Sequence, residues 1–369
     1  MKTFAIHSLT AILLFATASA QELTPEQQQK QIELEFRAFQ SPKRQLEDVS
    51  EKLAAFRAPW EGYGTVGTLR LAMRLIGADE LGLSEVQKER LPFTADGDGM
   101  KDAPYQAFYS KDNTSPELAQ ARKELISVLI PDDPLLERAT EKQKDAILEA
   151  DTKIELLFQK TLQAAIEETL TPEQMREVKK LEIQLMPQVG IPFPTMFEIL
   201  DLTDEQKKEM DKIVSEIKPE YDRLIKEFIM LEIEEMYSMR RNELKGKTFD
   251  SLEELHKCFG EIHRRRVMAN PDGGKRGMEF MDRGTRLATL MQDRMMNVLT
   301  DEQLVKMQEI LDATPMAVKK MLATIKMMQT AAKLSPTYVP GPDSWRPCMP
   351  VPKQFMEERK ARRFPRSEN

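Results

Sequence analysis

Leu202-Thr203-Asp204-Glu205-Gln206 is one of five near-copies of a single pentad, and its reading decides the fold. The others are Leu23-Thr24-Pro25-Glu26-Gln27, Leu83-Ser84-Glu85-Val86-Gln87, Leu170-Thr171-Pro172-Glu173-Gln174 and Leu299-Thr300-Asp301-Glu302-Gln303. Each reads as a helix start. The Thr or Ser hydroxyl at the N-cap accepts from a backbone N–H of the first turn, and the Gln three residues on reaches back to the N-cap N–H. Pro25 and Pro172 fall at the first helical position, where a missing N–H costs nothing. The acidic residues in between suit the positive end of the helix dipole.

The preceding Leu can staple to the residue four positions into the helix. Met175 and Leu304 offer that contact to Leu170 and Leu299, whereas Gln28, Lys88 and Lys207 deny it to Leu23, Leu83 and Leu202. Leu83 and Leu202 therefore read as openers of a unit, and Leu170 and Leu299 as closers. A capping box accepts Glu as readily as Gln, yet every copy carries Gln. That constancy points to common ancestry or to a task for Gln beyond capping.

Outward from the pentads the chain predicts helices and no strand. A polar segment from residue 24 to about 57 is open to a break at Ser41-Pro42. A short apolar helix covers Val66 to Ile76, and residues 92–116 form an irregular insert. Two helices follow Pro116, the second from about Pro134 to Thr169. The closer helix from Pro172 is expected to stop before Met186-Pro187, with a linker to Pro194. A long helix runs from Asp204 to about Lys245 through Pro219, and another covers Ser251 to Met268. Asn270-Pro271-Asp272-Gly273-Gly274 reads as a turn, followed by helices over about 275–298 and 315–333. The expected organisation is a signal segment (1–20), an N-terminal helical segment (21–78), a first unit (79–186), a linker (187–198), a second unit (199–334) and a Pro-rich basic tail (335–369).

Composition narrows the function. Lys2, an apolar run from Phe4 to Ala16 and Ala18-Ser19-Ala20 read as a cleaved secretory signal, which predicts a periplasmic or secreted product beginning near Gln21. No later stretch is apolar enough for a membrane span. The net charge of −7 argues against a general nucleic-acid binder. Cys258 and Cys348 can pair in an oxidising compartment or stay free.

No catalytic motif is present, no cofactor is implied, and the chain reads as a non-enzyme. His256, Cys258 and His263 are soft or borderline metal ligands, but Cys258 falls on a different helix face from His256, so they are weak candidates. Thr94 to Tyr105 lacks the acidic ends of a calcium loop and reads as an acidic turn. Asn113-Thr114-Ser115 fits a glycosylation sequon. Eleven methionines lie between Met268 and Met328. Met re-packs readily against varied apolar partners, so Met278, Met281, Met291 and Met295, with Phe228 and Phe280, are candidates for an exposed client-binding surface. Most of the methionines are expected in helix–helix cores, and thioether binding of Cu(I) is a further reading.

The pentads, the signal segment and the all-helical pattern together resemble the LTXXQ-motif (Spy-like) family of bacterial periplasmic proteins. The resemblance covers the pentads and flanks such as Asp204 to Ile213, about half of the chain. It implies long antiparallel helices in two tandem Spy-like helical hairpin units and ATP-independent, chaperone-like binding of unfolded or envelope proteins. It also implies pairing, either of two copies or of the two halves within one chain. The chain departs from the family in its length, in Ser84, in the extra pentad at Leu23 and in the tail. Metal binding or sensing, and a structural envelope role without a client, are the alternatives.

Overall fold

A computed structural model of the chain describes residues 24–38, 41–61, 63–97, 99–110, 115–129, 139–189, 193–269, 271–333 and 356–357. Among them the structure is all-α. Among the described residues the only β feature is an isolated bridge between Phe93 and Met100. The helices are α1 (Pro25–Ala38), α2 (Pro42–Arg57), α3 (Gly64–Ile76), α4 (Glu85–Arg90), α5 (Asp102–Tyr109), α6 (Pro116–Val128) and α7 (Glu141–Thr169). They continue as α8 (Pro172–Val189), α9 (Asp204–Leu244), α10 (Leu252–Ala269), α11 (Pro271–Val298), α12 (Asp301–Asp312) and α13 (Met316–Lys333). Short 3-10 turns cover Ala58–Glu61 and Pro194–Leu200. No described helix is long and apolar enough to cross a membrane. The signal segment, Leu23, the sequon at Asn113 and the tail apart from 356–357 lie outside the described residues.

Prolines account for most differences from the expected boundaries. The break at Ser41-Pro42 is present, and Pro42 opens α2. Pro187 does not end α8, which continues to Val189. Pro219 lies inside the 41-residue α9 without dividing it. The expected turn at 270–274 is instead the start of α11, with Pro271 at the first helical position, where a missing N–H is harmless. The insert at 92–116 contains α5. The helix expected from about Pro134 begins at Glu141, because Thr140 and Gln143 form a sixth capping box that no Leu precedes.

Three helix packings position everything else. α9 and α11 run antiparallel, since Arg294 pairs with Glu216 at 2.6 Å while Phe280 meets Phe228 nearer the other end. α6 lies antiparallel on α7 through Glu124–Lys153 and Glu117–Lys160. α2 lies between α7 and α9, its Arg57 bonded twice to Glu149 (3.0 and 3.2 Å) and its Lys52 to Glu232. α8 is buried on every side over 181–185. There Glu182 accepts from Thr65 Oγ1 at 2.8 Å and from Lys179 Nζ at 3.2 Å, and Gln184 donates to the Ile310 carbonyl at 2.7 Å. Burial pushes the Glu182 carboxyl up from its ordinary range.

Candidate functional site

The four opener and closer pentads meet in two pairs. In the first, Gln87 Nε2 donates to Gln174 Oε1 at 2.7 Å and Gln174 Nε2 donates back to Gln87 Oε1 at 3.1 Å. In the second, Gln206 Nε2 donates to Gln303 Oε1 at 2.7 Å and receives the return bond at 3.0 Å. Each oxygen also accepts from its own N-cap N–H, from Ser84, Thr171, Thr203 and Thr300, at 2.9–3.0 Å. The second hydrogen of each amide goes to the carbonyl just before the opposite pentad. Gln87 donates to Thr169 O, Gln174 to Gly82 O, Gln206 to Val298 O and Gln303 to Asp201 O, with Leu200 O sharing the last.

This arrangement explains why Gln stands at these four positions. Two donors and two acceptor sites of each amide are used at once. A carboxylate would keep the capping bond and lose both donations. The carbonyls offered by Gly82 and Asp201 depend on left-handed backbone at both residues, φ 66° and 56°. Glycine adopts this without strain and Asp is among the few other residues that tolerate it. Lys306 grips Asp201 at 2.6 Å and holds its carboxyl below the usual range.

The pentad leucines anchor the clasps to the core. Leu83 and Leu170 are buried in one cluster with Phe93, Leu162 and Ile166. Leu202 and Leu299 are buried in another with Met210, Met295 and Phe197. The opener leucines, without a staple partner, thus pack into the same cluster as their closers. The remaining two boxes differ. Thr24–Gln27 and Thr140–Gln143 close on themselves alone, and both glutamines are exposed.

The chain matches no protein-family model, no curated protein and no solved structure.

Other expected site residues are dispersed. Met291 and Met295 are fully buried in the α9–α11 core, with Met196, Met210, Met296 and Met307 beside them, so neither lines a surface. Their spacing on α11 is that of a packed helix face, and flexible Met fills the gap against α9. The side chains of Met278 and Met281 lie outside the described residues. Phe228 and Phe280 do sit together, half-buried, with ring centroids 5.8 Å apart and Arg283 over the Phe280 ring.

His256 is exposed beside Phe259, and Lys247 Nζ reaches Cys258 Sγ at 3.4 Å. The His263 side chain and Cys348 lie outside the described residues. Among the described residues no group of three or more His, Cys, Asp or Glu is arranged to hold a metal ion. The acidic turn is a tight one. Thr94 N donates to Gly99 O, Gly99 N to Thr94 Oγ1, and Thr94 Oγ1 to Asp96.

One charged feature escaped the sequence reading. The charges of Glu47 and Glu51 of α2 act on Glu155 of α7, and that of Glu47 acts on Asp151 as well. Burial, then the charges of Glu51, Asp151 and Glu47, push the Glu155 carboxyl up to about 7. Asp151, itself half-buried, is raised too, by burial first. The available signal was two acidic pairs at i, i+4, Glu47/Glu51 and Asp151/Glu155, each alongside an apolar row.

Proposed function

We propose that this chain is an exported, non-enzymatic helical protein of the LTXXQ type that binds unfolded or partner proteins in the periplasm without ATP. In this reading residues 79–186 and 199–334 are two tandem Spy-like helical hairpin units, each closed by one glutamine clasp. The observation that carries the reading is the clasp. A chance capping box needs only its own helix, whereas these pentads engage each other 87 and 97 residues apart. That supports the motif as an architectural signature shared with the family. The half-buried Phe228–Phe280 pair supplies apolar surface for a client.

The test is aggregation suppression. Protein beginning at Gln21 is mixed with a chemically unfolded client, without nucleotide and with chelator present. Near-stoichiometric suppression that falls when Phe228 and Phe280 are both changed to Ser is the expected result. No suppression at a several-fold excess overturns the reading.

A further inference from the structure

Two helices of this acidic chain carry no acid. α3 holds Arg70 and Arg74, α13 holds Lys319, Lys320, Lys326 and Lys333, and neither contains Asp or Glu. Every other described α-helix has at least one. With 61 acids in the chain, runs of 13 and 18 helical residues without any depart from its own composition. The fold then sets the two side by side, although most of the chain runs between them. Leu71 and Leu75 of α3 and Met321 and Leu322 of α13 pack in one cluster around the buried Val318, on Leu185 of α8.

With that face of α13 sealed, its described outer positions are Lys319, Lys320, Ala323, Thr324 and Met316, the last 66 % exposed. Lys319 Nζ also donates to the Asp312 carbonyl at 2.9 Å. On α3, Arg74 is exposed and Arg70 lies over the Phe93 ring. Of the acids close by, Asp79 pairs with Lys88, Asp96 accepts from Thr94 and Asp312 accepts from Gln308, while Glu80 stands exposed beyond the end of α3. Cations without acids, beside a large exposed apolar side chain, are the composition of a helix that lies on an anionic bilayer. Lysine suits that setting, since its apolar stem lies along the surface while the ammonium reaches a headgroup. Nucleic acid fits less well, because neither helix has an aromatic ring on which a base could stack.

We propose that α13, with the acid-free α3 beside it, is a docking face for an anionic phospholipid surface, on which the protein lies without spanning it. Met316 enters the headgroup layer, and the lysines around it meet the lipid phosphates. The net charge of −7 repels such a surface as a whole, so association needs a local patch of this kind. The inference rests on neither the glutamine clasps nor client binding.

Vesicle sedimentation tests it, with protein beginning at Gln21 so that the apolar run from Phe4 to Ala16 is gone. Phosphatidylcholine vesicles containing about 30 % phosphatidylglycerol should bind at least about tenfold more tightly than phosphatidylcholine alone, and less so as salt rises. Lys320→Glu should weaken that binding about fivefold, and Met316→Ser about threefold. Lys208→Glu makes the same change of charge at an exposed site on α9 and should stay within about twofold of the parent. Equal affinity for the two kinds of vesicle, or no binding to either, overturns the proposal. So does undiminished binding in the double variant Met316→Ser/Lys320→Glu. Polyglutamate or single-stranded DNA bound more tightly than the anionic vesicles, and weakened by Lys320→Glu but not by Met316→Ser, overturns lipid as the partner.

Discussion

Replacing Gln303 by Glu leaves the shape of the side chain and its capping bond intact, since a carboxylate oxygen accepts from Thr300 N–H as the amide oxygen does at 2.9 Å. What disappears is donation. The bond to Gln206 Oε1 at 3.0 Å is lost, as are those to Leu200 O and Asp201 O at 3.2 and 3.4 Å. Two donations at roughly 1 kcal/mol each, plus carboxylate repulsion against the oxygens left behind, come to about 2–3 kcal/mol. The surviving bond from Gln206 Nε2 becomes charge-assisted and offsets part of this, leaving about 2 kcal/mol. With an unfolding entropy of ~2.1 cal/mol/K per residue, that lowers Tm by about 2–3 °C. Gln143→Glu is the control, because Gln143 is exposed and caps only its own helix; it should stay within ~0.5 kcal/mol of the parent. The assay is urea unfolding of both variants beside the double variant Gln206→Glu/Gln303→Glu, whose loss should exceed the sum of the singles by more than ~1 kcal/mol. If Gln303→Glu and Gln143→Glu unfold together, the clasp contributes nothing and the reasoning fails.

Met295→Ala should cost about 2–5 kcal/mol in the same assay, as for a large side chain removed from a packed core; an unchanged midpoint would refute its burial between α9 and α11. Gly97→Ala meets a positive φ of 69° and puts Cβ 2.6 Å from Arg70 O. It should destabilise by at least ~1–2 kcal/mol, read as a drop in Tm, and no drop counts against that geometry. Global stability should also fall between pH 5 and pH 8. Moving Glu155 from 4.5 to about 7 is worth at most ~3 kcal/mol. Screening at the half-buried Glu155 reduces this to roughly 1 kcal/mol. Calorimetry of Glu155→Gln should show a flatter profile, and a profile steeper than the parent's would contradict the assignment.

Much of the helical plan was legible because capping chemistry is local. Thr203 and Gln206 announce α9 within four residues, and nothing distant is needed to read them. The pairing was half legible. Gln in place of Glu signalled a second task, but which Gln meets which depends on how α4 meets α8 and α9 meets α12. Thr140 is illegible as a sixth box because Ala139 stands where the pentads carry Leu. Pro187 and Pro271 misled, since one helix runs on past Pro187 to Val189 and another starts at Pro271, whereas Pro219 sits within the long helix as expected. Met291 and Met295 could not be assigned to core or surface from residue type, because a Met-rich helix face serves either. Glu155 looked like any other acid until α2 was laid against it.

The two clasps close segments of 87 and 97 residues with the same set of bonds. By the logarithmic dependence of loop-closure entropy, those ten extra residues change the cost of closure by only about 0.1 kcal/mol. The joint is therefore nearly indifferent to how much chain it spans. Helices between an opener and its closer can lengthen, shorten or be exchanged while the ends still find each other. Because the joint is built from uncharged amides, it answers to neither acidity nor redox state. A lineage carrying such a joint is free to remodel its long arms in search of new contacts while the corners stay fastened.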